Sequence, residues 1–226
     1  MTSRIEGFLG RSVEGKKSRI PALQDKLQSA TGLIMACFML CHMIFTGTIL
    51  FGENAFEAVV AFAEPGGIHI ITNIVAFVIL IVFMIHAFTA MRKFPANYAA
   101  YKAFKAHKIR MNHLDTTLWW FQFLTGFLLF FLASMHILTI AFGEKIDAWL
   151  SIDRFHQLHL FYFVLLIVTV THACIGSYRL YVKWYSISDN PVREKALRQK
   201  VRTIVFVVWG LFLLWSLIAD VKWLSL

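Results

Sequence analysis

Five long apolar runs divide this sequence and decide its fold class. Each is about as long as the ~20 residues that an α-helix needs to cross a hydrocarbon core of about 30 Å. In lipid, backbone N–H and C=O groups must pair within the protein, and unbroken apolar runs of this length are typical of helices. The expected spans are Ala30–Phe51, His69–Met91, Thr117–Phe142, Gln157–Val182 and Val201–Val221.

The composition agrees with an all-α membrane protein of five transmembrane helices. Only 15% of the residues are charged, where a soluble domain has about 25%. One helical bundle uses up the sequence, so residues 1–226 are expected to form a single domain.

The formal net charge of +9 is distributed in a way that predicts orientation rather than nucleic-acid binding. Lys and Arg residues concentrate before span I, between spans II and III, and between spans IV and V. The segment between spans I and II, residues 52–68, has Glu53, Glu57 and Glu64 and no Lys or Arg. Because basic segments face the cytoplasm, we expect the N-terminus inside and the C-terminus outside.

Shorter features lie between these spans. Ser29 is expected to cap span I, and the apolar stretch Phe56–Phe62 is expected on the outer membrane surface. The basic and aromatic segment Ala96–Asp115 suggests a short amphipathic helix on the inner surface.

Four histidines lie inside four of the five spans, where an ionisable group is costly and is usually functional. At about 1.5 Å per residue from the inner end of each span, His86 and His172 lie about 9 Å and 15 Å deep. His42 and His136 lie about 20 Å and 28 Å deep on the same scale. This ranking gives an inner pair, on spans II and IV, and an outer pair, on spans I and III.

Internal repeats define the same two pairs. Residues 28–42 read QSATGLIMACFMLCH and residues 122–136 read QFLTGFLLFFLASMH, with Gln, Thr-Gly and His at the same offsets. A shorter repeat, His-Ala, occurs at positions 86 and 172. Two histidines from two helices at one depth suit axial ligation of a haem, and are too few for zinc. The predicted iron ligands are His86 and His172 for an inner haem, and His42 and His136 for an outer haem.

Other polar residues are placed by depth. Thr31 and Thr125 each lie eleven residues before an outer histidine, so they share its face about 16 Å nearer the inside. We predict that their hydroxyl groups meet haem propionates and that Gly32 and Gly126 make room for a porphyrin, with ordinary helix packing as the alternative.

Candidate site residues also lie at both membrane surfaces. At the inner level, the groups able to neutralise propionates are Arg92, Lys93, His113 and Lys183, with snorkelling as the alternative. On the outer side Glu64 is a candidate acceptor of quinol protons, with a solvated surface carboxylate as the alternative.

Four segments resemble a known family. HAFTAMRKFP (86–95), HLDTTLWW (113–120), TGFLLFFLASMH (125–136) and THACIGSYRLYVKW (171–184) are similar to the dihaem cytochrome b membrane subunit of quinol:fumarate and succinate:quinone reductases. They look most like the single-subunit, five-helix type of menaquinone-using bacteria. The resemblance implies two stacked haems b among four of the helices, with propionate contacts from Gln28, Ser29, Arg92, Lys93, His113, Trp119 and Lys183.

The same resemblance implies partners and a location. It implies a FAD flavoprotein and an iron–sulfur protein on the cytoplasmic face, a dimer of heterotrimers, and the bacterial cytoplasmic (inner) membrane. Menaquinol would be oxidised near Glu64, which aligns with the family's menaquinol-site carboxylate. One position departs from the family: Val170 stands where some members carry a Glu proposed for transmembrane proton transfer, and valine cannot carry a proton.

Two alternatives stay open at this point. One is a dihaem anchor for another respiratory oxidoreductase, such as a hydrogenase or formate dehydrogenase. The other is a transporter without haem that uses the histidines as a proton relay.

Overall fold

The structure, a computed structural model, describes residues 20–65, 70–143, 146–185 and 190–226. Within these ranges the chain forms seven α-helices and one 3₁₀ turn at Thr48–Phe51. The helices are α1 (Ile20–Gly47), α2 (Glu53–Ala63), α3 (Ile70–Met91), α4 (Tyr98–Met111), α5 (Leu114–Ala141), α6 (Ala148–Trp184) and α7 (Pro191–Leu224).

Five of these helices, namely α1, α3, α5, α6 and α7, are long and apolar enough to cross a membrane. The prediction of five spans in an all-α chain is thereby confirmed. Their outward faces are apolar as well, with residues such as Ile81 and Leu211 exposed, as lipid contact requires. The expected first residue of span II, His69, lies outside the described residues.

Three of the spanning helices begin well before the apolar runs that predicted them. α1 begins at Ile20 with Pro21 in its first turn, where the fixed φ of proline suits a helix. Ser29 is therefore not a cap, and the prediction is wrong: its hydroxyl group donates to the Asp25 carbonyl at 2.8 Å. α6 is capped by Asp147, whose carboxylate accepts from Leu150 N at 2.8 Å, and it kinks at Leu158.

The two short helices lie at opposite ends of the bundle, which are called here the inner and outer ends after the predicted orientation. α4 forms as expected at the inner end, and Phe104 packs on Trp119 with ring centroids 4.4 Å apart. The position of α2 on the membrane surface stays a prediction: its Phe62 is 87% exposed, whereas its Phe56 is only 2% exposed and packs on Trp223 at 5.0 Å. The helix therefore covers the outer end of the bundle.

The spanning helices form a closed ring with one helix outside it. α1 packs on α3, α3 on α5, α5 on α6, and α6 on α1, while α7 packs on α6 and α1. The four helices of the ring carry the four span histidines. That two haems fill this ring goes beyond these contacts and stays a prediction.

Candidate functional site

A cavity of 1730 Å³ runs through the ring of helices. Its lining extends from Asp25 and Lys183 at the inner end to Glu64 and Trp223 at the outer end, and includes all four span histidines. Pockets for a single small ligand measure about 300–1,000 Å³, so this space exceeds what one ligand needs.

The histidines meet inside the cavity in the two pairs that the repeats predicted. The ring centroids of His86 and His172 lie 6.3 Å apart, and those of His42 and His136 lie 5.9 Å apart. An imidazole nitrogen binds a transition metal at about 2 Å, so two rings on opposite sides of one iron have centroids roughly 6 Å apart. Both separations are compatible with one iron atom between the two rings of a pair.

A bare metal ion does not suit this donor set. Among the described residues, no three His, Cys, Asp or Glu side chains converge on one point that could hold a metal ion. A haem supplies four nitrogens of its own and needs only two axial ligands from the protein. The residues present therefore fit two haems, one at each histidine pair.

The protein holds His86 in the tautomer that a ligand needs. Its Nδ1 lies 3.1 Å from the Gln28 carbonyl and 3.3 Å from Thr31 Oγ1. A carbonyl can only accept, so Nδ1 carries the proton and donates it, which leaves the lone pair on Nε2. This is the outer-shell contact that orients metal-ligating histidines.

His172 is held in the same way by the second copy of the repeat. Thr125 Oγ1 lies 3.0 Å from His172 Nδ1 and donates its own proton to the Phe121 carbonyl at 2.8 Å. The hydroxyl oxygen therefore accepts from Nδ1, which leaves the lone pair of His172 on Nε2 as well. In the structure both threonine hydroxyl groups serve the inner histidines, whereas the sequence predicted contacts to propionates.

The glycine after each threonine makes room for the same two rings. A Cβ at Gly32 would lie 3.0 Å from His86 Cε1, and one at Gly126 would lie 3.1 Å from His172 Cε1. Such contacts are too tight for an undisturbed ring. Each Thr-Gly pair thus accommodates the inner histidine of a neighbouring helix. From the sequence, the space at these glycines was expected to hold the porphyrin.

The outer histidines have a different, aromatic environment. His42 stacks on Phe38 with centroids 5.6 Å apart, and His136 meets the edge of Tyr162 at 5.8 Å. The Nδ1 of His136 is buried and has no hydrogen-bond partner within the described ranges. The outer pair is therefore fixed by ring packing rather than by backbone carbonyls.

Three cations meet one carboxylate at the inner end of the cavity. Arg92 forms an ion pair with Asp25, and the Nζ atoms of Lys93 and Lys183 lie 2.9 Å and 3.9 Å from Asp25 Oδ1. Three positive charges and one negative charge leave a surplus of two, which matches the two propionates of one haem.

Two further polar side chains complete this group. Lys93 Nζ donates to Gln28 Oε1 at 2.6 Å, and Lys183 Nζ donates to Ser29 Oγ at 3.0 Å. The structure thus brings together five of the predicted propionate contacts: Gln28, Ser29, Arg92, Lys93 and Lys183. They surround Asp25, which was not predicted from the sequence to belong to the site.

Glu64 lies at the opposite end, as the C-cap residue of α2. Its side chain lines the cavity and is only 4% exposed. Its Oε1 is buried without a hydrogen-bond partner in the part of the chain that the structure describes. These observations argue against a solvated surface carboxylate, the alternative considered from sequence.

Comparison with known proteins places the chain in a family. A family model for the succinate dehydrogenase/fumarate reductase transmembrane subunit matches residues 99–219. The chain is also 40% identical over 223 residues to the fumarate reductase cytochrome b subunit of Wolinella succinogenes, covering 92% of this chain and 86% of that protein. The chain belongs to this family of transmembrane subunits.

Two further relatives agree with this assignment. The fumarate reductase cytochrome b subunits of two Helicobacter pylori strains are 41% identical over 215 residues, which is 92% of this chain and 84% of each relative. The resemblance drawn from the four sequence segments is confirmed.

Three further positions were singled out by the family resemblance. Trp119 lines the cavity at its inner end. His113 is exposed as the N-cap residue of α5 and is not among the described residues that line the cavity. Val170 is 3% exposed and packs with Leu166 and Trp209 where α6 meets α7, so the position holds a packed apolar side chain.

Proposed function

We propose that this chain is the membrane anchor and electron-transfer subunit of a quinol:fumarate reductase. It would bind two haems b, through His86 and His172 at the inner end and His42 and His136 at the outer end, and would oxidise menaquinol. The observation that carries the proposal is the pair of histidine separations, 6.3 Å and 5.9 Å, at two levels of one cavity. When bound, the two haems would supply one-electron carriers between the outer and inner ends.

The inner-end residues would hold and tune the inner cofactor. The Gln28 carbonyl with Thr31 keeps the proton on Nδ1 of His86, and Thr125 does so for His172, which leaves Nε2 of each ring free to bind iron. Arg92, Lys93 and Lys183 would neutralise the propionates, while Asp25 keeps the three cations together.

The outer-end residues would handle the substrate. Oxidation of a quinol releases two protons and two electrons, so an acceptor for protons must stand where the quinol binds. Glu64 is the proposed acceptor, because a buried carboxylate oxygen without a partner can take a proton from a quinol hydroxyl group. The apolar walls of the cavity suit the rings of menaquinol.

The dicarboxylate chemistry would take place on partner subunits. The chain has three cysteines, Cys37, Cys41 and Cys174, all in spanning helices. An iron–sulfur cluster needs four ligands, so three cysteines are too few. We propose a FAD flavoprotein and an iron–sulfur protein docked on the inner face, in the bacterial cytoplasmic membrane, with a dimer of heterotrimers as the assembly. The curated relatives are named as fumarate reductase subunits, which favours these partners over a hydrogenase or formate dehydrogenase.

The test is an assay of the complex purified through this chain. A flavoprotein and an iron–sulfur protein should co-purify, and the complex should couple oxidation of a menaquinol analogue to reduction of fumarate. Glu64→Gln should keep both haem signals and lose quinol oxidation by roughly 100-fold or more. Co-purification of a hydrogenase instead, or full quinol oxidation by the Gln variant, would contradict the corresponding part of the proposal.

A further inference from the structure

A second carboxylate, with one buried oxygen, lines the outer end of the cavity, and the proposed function does not use it. Asp220 lies on α7, three residues before Trp223, and its side chain is part of the cavity wall. Its Oδ2 is buried and has no hydrogen-bond partner in the described part of the chain. Burying a carboxylate oxygen without a partner is costly, and such a group in a cavity is a candidate for function.

Packing between α2 and α7 places Asp220 at the same end of the cavity as Glu64. Ala219 and Trp223, which flank Asp220, belong to one buried cluster with Phe56 and Val60 of α2. Glu64 follows one turn after Val60, and its N–H donates to the Val60 carbonyl at 2.7 Å. The two carboxylates therefore both lie next to the α2–α7 contact and line the same cavity.

Neither carboxylate has a structural ion pair that would account for its burial. Among the described residues, the ion pairs of the chain involve Asp25 and Glu194 and not Glu64 or Asp220. Arg154 lines the same cavity without an ion pair to either acid among the described residues. Both carboxylates therefore remain available as hydrogen-bond acceptors.

We propose that Asp220 is a second proton acceptor for quinol oxidation. The inference rests on the proposed function and deepens it. A quinol that becomes a quinone breaks two O–H bonds and releases two protons and two electrons. Glu64 would take the proton from one hydroxyl group and Asp220 the proton from the other, while the electrons pass to the haems as one-electron acceptors. Charge and atoms balance, with two carboxylates becoming two carboxylic acids.

The experiment uses the purified complex and measures two reactions in each variant. One is oxidation of a menaquinol analogue with fumarate as acceptor, which needs the proton acceptors. The other is reduction of the haems by succinate through the partner subunits, which needs no quinol. The variants are Asp220→Asn and Asp220→Glu, and Asp153→Asn is the control, since Asp153 is an exposed carboxylate at the outer end of α6.

The inference predicts a selective loss. Asp220→Asn should lower kcat for quinol oxidation by roughly 100-fold, the lower end of what a positioned base contributes, with KM little changed. Its haem spectrum and its reduction by succinate should match those of the wild type. Asp220→Glu should recover most of the rate, and Asp153→Asn should behave as the wild type.

Three results would overturn the inference. They are an Asp220→Asn rate within twofold of the wild type, a Glu variant as slow as the Asn variant with intact haem spectra, or loss of haem from the Asn variant. A wild-type complex that does not oxidise the menaquinol analogue would instead contradict the proposed function itself. If only Glu64→Gln is slow, the proposed function stands and the role of Asp220 alone is refuted.

Discussion

Replacing Thr125 with valine removes one hydrogen-bond acceptor and leaves the shape of the side chain almost unchanged. Thr125 is buried, and its Oγ1 lies 3.0 Å from His172 Nδ1. In the valine variant the Nδ1–H loses this acceptor, and the ring is less firmly held in the orientation that a metal needs.

The size of the effect follows from the contact that is lost. Leaving a buried donor poorly satisfied costs about 1–3 kcal/mol, and every 1.4 kcal/mol is tenfold in affinity. This range corresponds to roughly 5- to 150-fold weaker binding of the inner haem. The outer haem should be unaffected, since His42 and His136 do not contact Thr125. Thr31→Val should have a smaller effect, because the Thr31 contact to His86 is longer, at 3.3 Å.

The assay follows the transfer of haem from the purified protein to an excess of a haem-free acceptor protein, with each haem identified by its absorption band. The matched control is Thr139→Val on the same helix, because Thr139 is exposed and its hydroxyl group donates to the Met135 carbonyl at 2.8 Å. If Thr125→Val loses haem no faster than Thr139→Val, the threonines do not orient the inner ligands and this reasoning fails.

Two further variants test the surroundings of the inner pair. Gly126→Ala should displace the His172 ring, because the new Cβ would lie 3.1 Å from Cε1, and overpacking of about 1–3 kcal/mol should release the inner haem before the outer one. Gly210→Ala is its control, since a Cβ there meets nothing within 4 Å. Equal haem loss in both variants would contradict the role of Gly126 in making room for the His172 ring. Asp25→Asn should raise the midpoint potential of the inner haem by tens of millivolts in a redox titration, because a negative charge is removed beside three cations. An unchanged or lower potential would argue against the cluster as a propionate site.

The parts of this protein that hydropathy and repetition encode could be predicted from its sequence. Runs of apolar residues gave the five spans, because a helix in lipid must be apolar over its whole length. The two copies of Gln, Thr-Gly and His gave the histidine pairs, because equal offsets on two helices place equivalent residues at equivalent depths. The same runs placed the helix starts too late, because charged residues such as Asp25, Asp153 and Arg193 interrupt the early turns of α1, α6 and α7 and lower their hydropathy.

The parts that sequence reasoning missed depend on contacts between helices. In the sequence Asp25 is a single acidic residue in a basic segment. Only the packing of α1, α3 and α6 shows that three cations surround it. In the sequence Asp220 is a residue near the end of an apolar helix. Only the packing of α2 on α7 shows that it lies at the same end of the cavity as Glu64. The threonine hydroxyl groups were placed at the correct depth, but their partner across the helix interface is a histidine of the neighbouring helix, which offsets along one helix do not give.

The direct test of two haems held by two histidine pairs is a count of haem b per purified chain in the wild type and four single His→Ala variants. The wild type should contain two haems. The variants at His86 and His172 should both lose the inner haem and keep the outer one, and those at His42 and His136 should do the reverse. A folded wild-type protein with no absorption in the visible, or variants at His86 and His172 that lose different haems, would contradict the account.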